Sequence, residues 1–472
     1  MNYNIEKINQ IGKLLSEIVE EALEEENKEG VRIADIEMGI RESLREIGQK
    51  ALQCYLENAD RERAVAIECA CGGKLEYQRR REATIWSVFG KVSYKRAYYA
   101  GCDCGKGCAV IDQRYGIEPG KVTAGLAHLL ALSGIDKSFE EGQEWLKVFL
   151  LFEVSENTIR AETRILGELQ RKADEDFIKE MDNEVALHTC PGGRCQGKRE
   201  QLAQQIPDRL YSSIDAAKVR IEPRAKQGKK VEMEEDWRDM KIVCWYEGEL
   251  VPGGQRSVRQ KDKAQREGTV FRAKNKRYSC DIAEAEQFGK LLWASGCSVY
   301  ADWVQELVFV CDGATWIWKL VSHYYPKAIQ IVDWYHAEGR LKRIAEEAFS
   351  ALEERQSWLE KITENLWLGN VEVVIEACQS LSKKCTLAKQ AVTYFSNNIE
   401  RMRYAKFRAA AYLIGSGVIE SGCKQIVTRR LKLPGAQWNL DGAILTAKAR
   451  CAWLSGRWQE LVSQRSLLPL AI

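Results

Sequence analysis

Near the start of the chain, Ile11, Leu14, Leu15, Ile18 and Leu23 keep roughly helical spacing, so residues 1–64 read as a helical region. The pattern changes over 65–118, where short apolar runs alternate with cysteines and glycines. There Thr84-Ile85-Trp86-Ser87-Val88 and Val92-Ser93-Tyr94 flank Phe89-Gly90-Lys91, which predicts a β-hairpin. Helical spacing returns over 119–180, and Ser138 and Ser155 each stand where a polar residue opens a helix. From 205 to 345 the pattern is mixed. It predicts strands at Leu210 to Val219, Met240 to Tyr246, Leu307 to Cys311 and Ile329 to Val332, and a helix from Ile282 to Ala294. Residues 337–411 read as helical throughout, and 412–472 as a last helical stretch opening after Gly415-Ser416-Gly417.

The chain has 472 residues, room for about two to four domains. Its 45% hydrophobic content excludes a largely disordered protein. A net charge of +2 says nothing about partners, but the distribution does. Residues 1–48 carry twelve acidic and six basic side chains, whereas 251–278 carry nine Lys/Arg against Asp262 and Glu267. The basic stretch, including Arg256, Arg259, Lys261 and Lys263, is either a footprint for DNA phosphates or a solvated loop. The N-terminus is too polar for a secretory signal, and no run approaches the ~18 apolar residues of a membrane span. A cytoplasmic, nucleoid-associated protein with no membrane partner is expected. Sixteen cysteines in a reducing compartment point to metal or to buried thiols rather than to disulfides.

Cys69-x-Cys71 and Cys102-x-Cys104, with Cys108 nearby, bracket the predicted hairpin. Two thiolate pairs on facing turns suit a zinc-ribbon-like site, although the usual spacing is Cys-x2-Cys; the alternative is simple burial of the thiols. His188, Cys190 and Cys195 form a second, looser cluster. The two helices opened by Ser138 and Ser155 look like a helix-turn-helix, with Glu156, Asn157, Arg160 and Arg164 exposed on the second, or else are an ordinary packed pair. Three acids stand in settings suited to metal-dependent phosphodiester chemistry, which needs carboxylates on strand ends and a facing helix. Asp215 lies on a strand beside small residues, Asp312 where a buried strand ends in a glycine turn, and Glu420 in the first turn of a helix. Taken singly, each has a plainer reading: an edge-strand acid, a helix N-cap, and a first-turn acid pairing with Lys424.

The segments VCDGATWIW, IQIVDWYHA and IGSGVIESGCKQIVTRRLK closely resemble signature blocks of a bacterial insertion-sequence transposase family, the Kra type, within the Mutator-like group of DDE transposases. The resemblance runs in order from about Cys69 to Trp458 and includes FGKVSYKRAYY. It implies an α/β protein: a ribonuclease-H-like catalytic core with a large helical insertion at 346–411, preceded by the cysteine-containing, zinc-ribbon-like hairpin and a helical DNA-binding region. Asp215, Asp312 and Glu420 would hold Mg2+ or Mn2+, and Asp333-Trp334-Tyr335-His336 matches an accessory motif. Structural Zn2+ would sit at Cys69, Cys71, Cys102 and Cys104. Arg160, the basic loop, Lys424, Arg429, Arg430 and Lys432 would meet DNA. Arg401 to Arg408, interleaving cations with aromatics, either suits a DNA backbone and an unpaired base or is an amphipathic helix with snorkelling basic residues. The partners implied are transposon terminal repeats, target DNA and further copies of the chain in a homo-oligomer. The rival is a catalytically decayed, transposase-derived DNA-binding regulator.

Overall fold

The computed structural model describes residue 16 and residues 32–60, 64–186, 206–222, 236–252 and 269–466. Among the described residues, the protein is a mixed α/β chain with helices in the majority and two sheets. It divides into two compact units. One comprises Met1–Leu130, Glu140–Ile159 and Ser466–Ile472, the other Ala131–Phe139 and Arg160–Arg465.

The first unit opens with helix α1 (Ile33–Ala59), then β1 (Ala66–Glu68), β2 (Lys74–Ser87) and β3 (Gly90–Ala100), which form an antiparallel sheet in that order. The predicted hairpin is present and longer than the sequence pattern marks. Ser87 pairs with Gly90, so the turn is Val88–Phe89, just before the expected Phe89-Gly90-Lys91. Ser87 Oγ fixes it, accepting from the Phe89 N–H at 3.1 Å. Alternation places Ala83, Ile85, Val92 and Tyr94 inward against Leu56 of α1 and Ile111 of α2 (Val110–Tyr115). Helices α3 (Ala124–Asp136), α4 (Phe139–Leu150) and α5 (Glu156–Ala186) follow, and the chain passes between units within each of them. Ser155 does cap α5, its Oγ accepting from the Thr158 N–H at 3.2 Å.

The second unit is built on β4 (Arg209–Ile221), β5 (Asp236–Pro252), β6 (Thr269–Asp281), β7 (Glu306–Cys311) and β8 (Ile329–Val332), in the order β6-β5-β4-β7-β8. The β4–β5 and β5–β6 pairs are antiparallel, while β7 joins β4, and β8 joins β7, in parallel. Between strands lie α6 (Ala285–Ser298) and α7 (Thr315–Tyr324). The basic stretch 251–278 carries no strand pattern in sequence, but residues 269–278 belong to β6. Its polar composition hides a strand whose pairing, Leu250 with Phe271 through Lys241 with Asp281, is supplied by β5. Arg256, Arg259, Lys261 and Lys263, together with His188, Cys190 and Cys195, lie outside the described residues.

After β8 come α8 (Trp334–Ala348), α9 (Leu352–Trp367), α10 (Val371–Leu381), α11 (Thr386–Asn397) and α12 (Tyr404–Ala409). They are not an appended lobe. Leu366, Val374, Phe395 and Tyr404 join the same core as the sheet's Val308, Phe309 and Ile331. The chain then forms α13 (Gly417–Cys423), a π turn over Lys424–Thr428, α14 (Arg429–Leu431), α15 (Leu440–Leu454) and α16 (Trp458–Ser466).

Candidate active site

Asp215 sits midway along β4, paired with Ile242. Asp312 follows the last residue of β7, and both strands run the same way, so the chain delivers two acids to neighbouring parts of one sheet. The Ile214 N–H reaches Cys311 Sγ at 3.4 Å across that pair. Asp215 Oδ1 accepts from the Ala216 N–H at 2.7 Å, and its Oδ2 accepts from the Cys423 thiol at 3.5 Å. Cys423 is one helical turn beyond Glu420 in α13, so this contact ties the helix carrying the third acid to the strand carrying the first. The sequence reading passed over Cys423, although its i,i+3 spacing from Glu420 was visible.

The electrostatics agree with proximity. Burial raises the Asp215 carboxyl above the ordinary aspartate range and the Asp312 charge adds to this, against the Ala216 N–H, the Cys423 thiol and His336, which lower it. Cys423 is pushed well above the usual thiol range by burial, then by Asp215 and Glu420, and so stays a protonated donor. The carboxylates do not close on a single point. Among the described residues, the cysteine cluster is the one group of three or more metal-ligating side chains whose ligand atoms lie within 4.8 Å of one another. Ligands shared between two cations about 4 Å apart need no such closure.

Asp312 is held from two sides. Its Oδ1 accepts from the Ala314 N–H at 2.9 Å, and its main-chain carbonyl accepts from Tyr394 of α11 at 3.0 Å. Gly313 has φ of 90°, and a Cβ there would stand 2.7 Å from the Tyr394 ring, so both conformation and packing require glycine. Asp333 and His336 sit beside the acids. Fully buried Asp333 caps α8, accepting from the His336 N–H at 2.7 Å, and also accepts from the Ser416 N–H. That second bond fastens the Gly415–Gly417 turn, from which α13 starts, to the end of β8. His336 Nε2 stands 3.6 Å from Glu420 Oε1, with both side chains about two-fifths exposed, at 44% and 41%.

The expected DNA-contacting cations divide. Lys424, Arg429 and Lys432 are exposed. Arg430 is not: it is 2% exposed, donates to the Gly134 carbonyl at 2.7 Å and stacks on Phe139 and Trp438. A side chain enclosed in this way has no phosphate to meet, so Arg430 is a packing residue. Arg160 is exposed but lies over Phe139, 5.0 Å from the ring centre, and Arg164, expected on the same free surface, donates to Asn439 at 3.2 Å. The segment Arg401 to Arg408 also turns inward. Arg401 donates to Gln330, Arg403 forks onto Glu372 at 2.9 and 2.7 Å, Tyr404 is buried, and Arg408 covers Trp367. These arginines face their own fold with their stems packed, the bland reading of that stretch.

In the first unit, Cys69, Cys71, Cys102 and Cys104 converge, with Cys69 Sγ 3.5 Å from Cys104 and Cys71 Sγ 3.3 Å from Cys102. Tetrahedral zinc with bonds of ~2.3 Å puts sulfurs about 3.8 Å apart, so the donor set fits that ion. Short turns make the knuckles: the Gly72 N–H meets the Cys69 carbonyl at 2.8 Å, and the Gly105 N–H meets the Cys102 carbonyl at 2.9 Å. A Cβ on Gly73 would stand 2.6 Å from Cys102 Sγ, so glycine keeps the space for that sulfur. The Gly73 N–H, then the neighbouring thiols, lower the Cys71 thiol to about 7. Cys108 stands outside the group.

A cavity of about 390 Å³ opens elsewhere in the second unit, lined by residues including Gln170, Trp245, Tyr278 and Ser455, and none of the three acids borders it. Among the described residues, no helix is long and apolar enough to cross a membrane.

Residues 26–185 match the model of an uncharacterised protein family, UPF0236. No curated protein matches the chain. Among solved structures, the Drosophila P element transposase strand transfer complex is similar at a TM-score of 0.24 and 12% identity, over 76% of this chain and 84% of that one.

Proposed function

We propose that the chain is a DNA transposase with a ribonuclease-H-like core, in which Asp215, Asp312 and Glu420 hold Mg2+ or Mn2+. The observation that carries this reading is the way acids separated by 97 and 108 residues address one another. Asp312 raises Asp215, Cys423 joins Asp215 to the Glu420 helix, and Glu420 meets His336. An antiparallel β6-β5-β4 followed by parallel β7 and β8 supports the core assignment. The residues fit a divalent ion, because Asp215 is penalised when charged both by burial and by Asp312, and a cation relieves both. Such ions, when bound, supply activation of an attacking oxygen and stabilisation of a leaving one at a phosphodiester.

The chain's own residues hold this arrangement. Asp333 locks the start of α8 to the turn before α13, keeping His336 and Glu420 together. Lys424 and Lys432 remain available to backbone phosphates along the strand leaving the site, while exposed Arg429 is paired with Asp136 at 3.2 Å. The reaction class is hydrolysis at transposon ends, which breaks a phosphorus–oxygen bond and frees a 3′-hydroxyl. That hydroxyl then attacks target DNA, exchanging one phosphodiester for another. In this reading the four-cysteine hairpin carries structural zinc and belongs to end recognition.

Asp312→Asn keeps shape and removes charge. On DNA carrying the element's terminal repeats, the variant is expected to bind near the wild-type level while Mg2+-dependent cleavage falls to background. Retained cleavage rejects the assignment. A wild-type protein that binds this DNA but leaves it intact is instead a transposase-derived regulator.

A further inference from the structure

Helix α8 carries more than the accessory histidine. His336, Arg340 and Arg343 recur at i, i+4 and i+7, one face of a helix, and the first of them meets Glu420. The Arg340 guanidinium lies 4.0 Å from the centre of the Tyr394 ring. The same tyrosine donates to the Asp312 carbonyl and packs where a Gly313 side chain would be. Arg340 is therefore one side chain away from Asp312, on the rim of the acidic cluster.

Lys342 is taken by Glu338, Arg209 by Glu306 and Arg403 by Glu372, whereas among the described residues no carboxylate pairs with Arg340. Tyr394 sits against the guanidinium, its ring centre 4.0 Å away and its hydroxyl within reach of one N–H, and the remaining N–H groups have no carboxylate partner. Guanidinium N–H groups free of carboxylates, beside acids that would hold cations, answer a specific need. A polyanionic substrate is repelled by those acids, and a fixed planar cation at their edge offers a bidentate grip on a phosphate. We propose that Arg340, held on Tyr394, binds a DNA backbone phosphate flanking the one that reacts. This rests on the transposase reading and gives the substrate a second anchor.

The test is the salt dependence of binding to a mixed-sequence oligonucleotide duplex in Mg2+, for wild type, Arg340→Ala and Arg340→Lys. Losing one phosphate contact should shrink the log–log slope by about 0.9 in Arg340→Ala. Arg340→Lys keeps the charge and should keep the slope, while melting curves for both variants report the fold. Inorganic phosphate in place of DNA should not compete at millimolar concentration; competition that Arg340→Ala abolishes would make this a free-phosphate site and overturn the proposal. An unchanged slope in Arg340→Ala also overturns it. The outcomes separate from those of the parent reading: an inactive Asp312→Asn with an unchanged Arg340→Ala slope removes only the arginine's role. Cleavage by Asp312→Asn removes the parent reading, and a wild type that does not bind duplex removes both.

Discussion

At the scale of single residues, Asp215 shows what the acidic cluster costs the folded chain. Its folded value is raised, so the folded state holds that proton more tightly than the unfolded chain. The penalty is absent at acid pH, grows as pH climbs through the ordinary aspartate range to the raised value, and is complete at neutral pH. Asp312→Asn removes the part due to the neighbouring charge. In chelator at pH 7 this variant should melt above wild type, by on the order of 2 °C for somewhat under 1 kcal/mol. Added Mg2+ should raise the wild-type Tm more than the variant's. A variant that melts lower in chelator would contradict the electrostatic account. Arg430 is the converse lesson, because its neighbours in sequence promised a phosphate contact and Gly134, Phe139 and Trp438 took it instead.

At the scale of elements, the β2–β3 hairpin brings together four cysteines that flank it, in pairs 31 and 35 residues apart in sequence. Its small core, with Cys69, Leu75, Ala97 and Tyr99 buried, is too slight to order those knuckles unaided. Freshly purified protein should carry about one zinc per chain by ligand count. Chelation should speed hydrogen exchange at Leu75, Ala97 and Tyr99 while leaving Val308 and Phe309 of β7 protected. Metal-free protein with the same exchange pattern would leave only the buried-thiol reading. The helices from α9 to α12 show another element-scale effect: an insertion by sequence position, they complete the core and send Tyr394 to hold Asp312.

At the scale of the whole molecule, Lys448 marks where distant parts of the second unit are joined. It is 2% exposed on α15, with Asp174 of α5 at 2.7 Å and Asp281 of β6 at 3.1 Å. Burial alone would lower its pKa, but the two carboxylates outweigh that and raise it, so its contribution is present at neutral pH and fades only above the usual lysine range. Lys448→Met keeps the volume and removes the buried cation that both acids share, so urea unfolding should show a loss of about 3–5 kcal/mol; a loss under about 1 kcal/mol would make the triad dispensable. Much of this fold was legible beforehand. Strong local patterns such as the apolar runs of β7 and β8, the glycine turn after Asp312 and the Ser155 cap depend on near neighbours, and near neighbours are what a sequence displays. The settings of Asp215, Asp312 and Glu420 could be read for the same reason. What only the tertiary structure decided is how distant segments use one another. The polar strand β6 exists because β5 pairs with it, and Cys423 and Tyr394 acquire partners more than 80 residues away. Basic side chains with similar sequence surroundings became packing in Arg430 and a neighbour of Tyr394 in Arg340. Burial and hydrogen bonding across the core, rather than local spacing, set each of those outcomes.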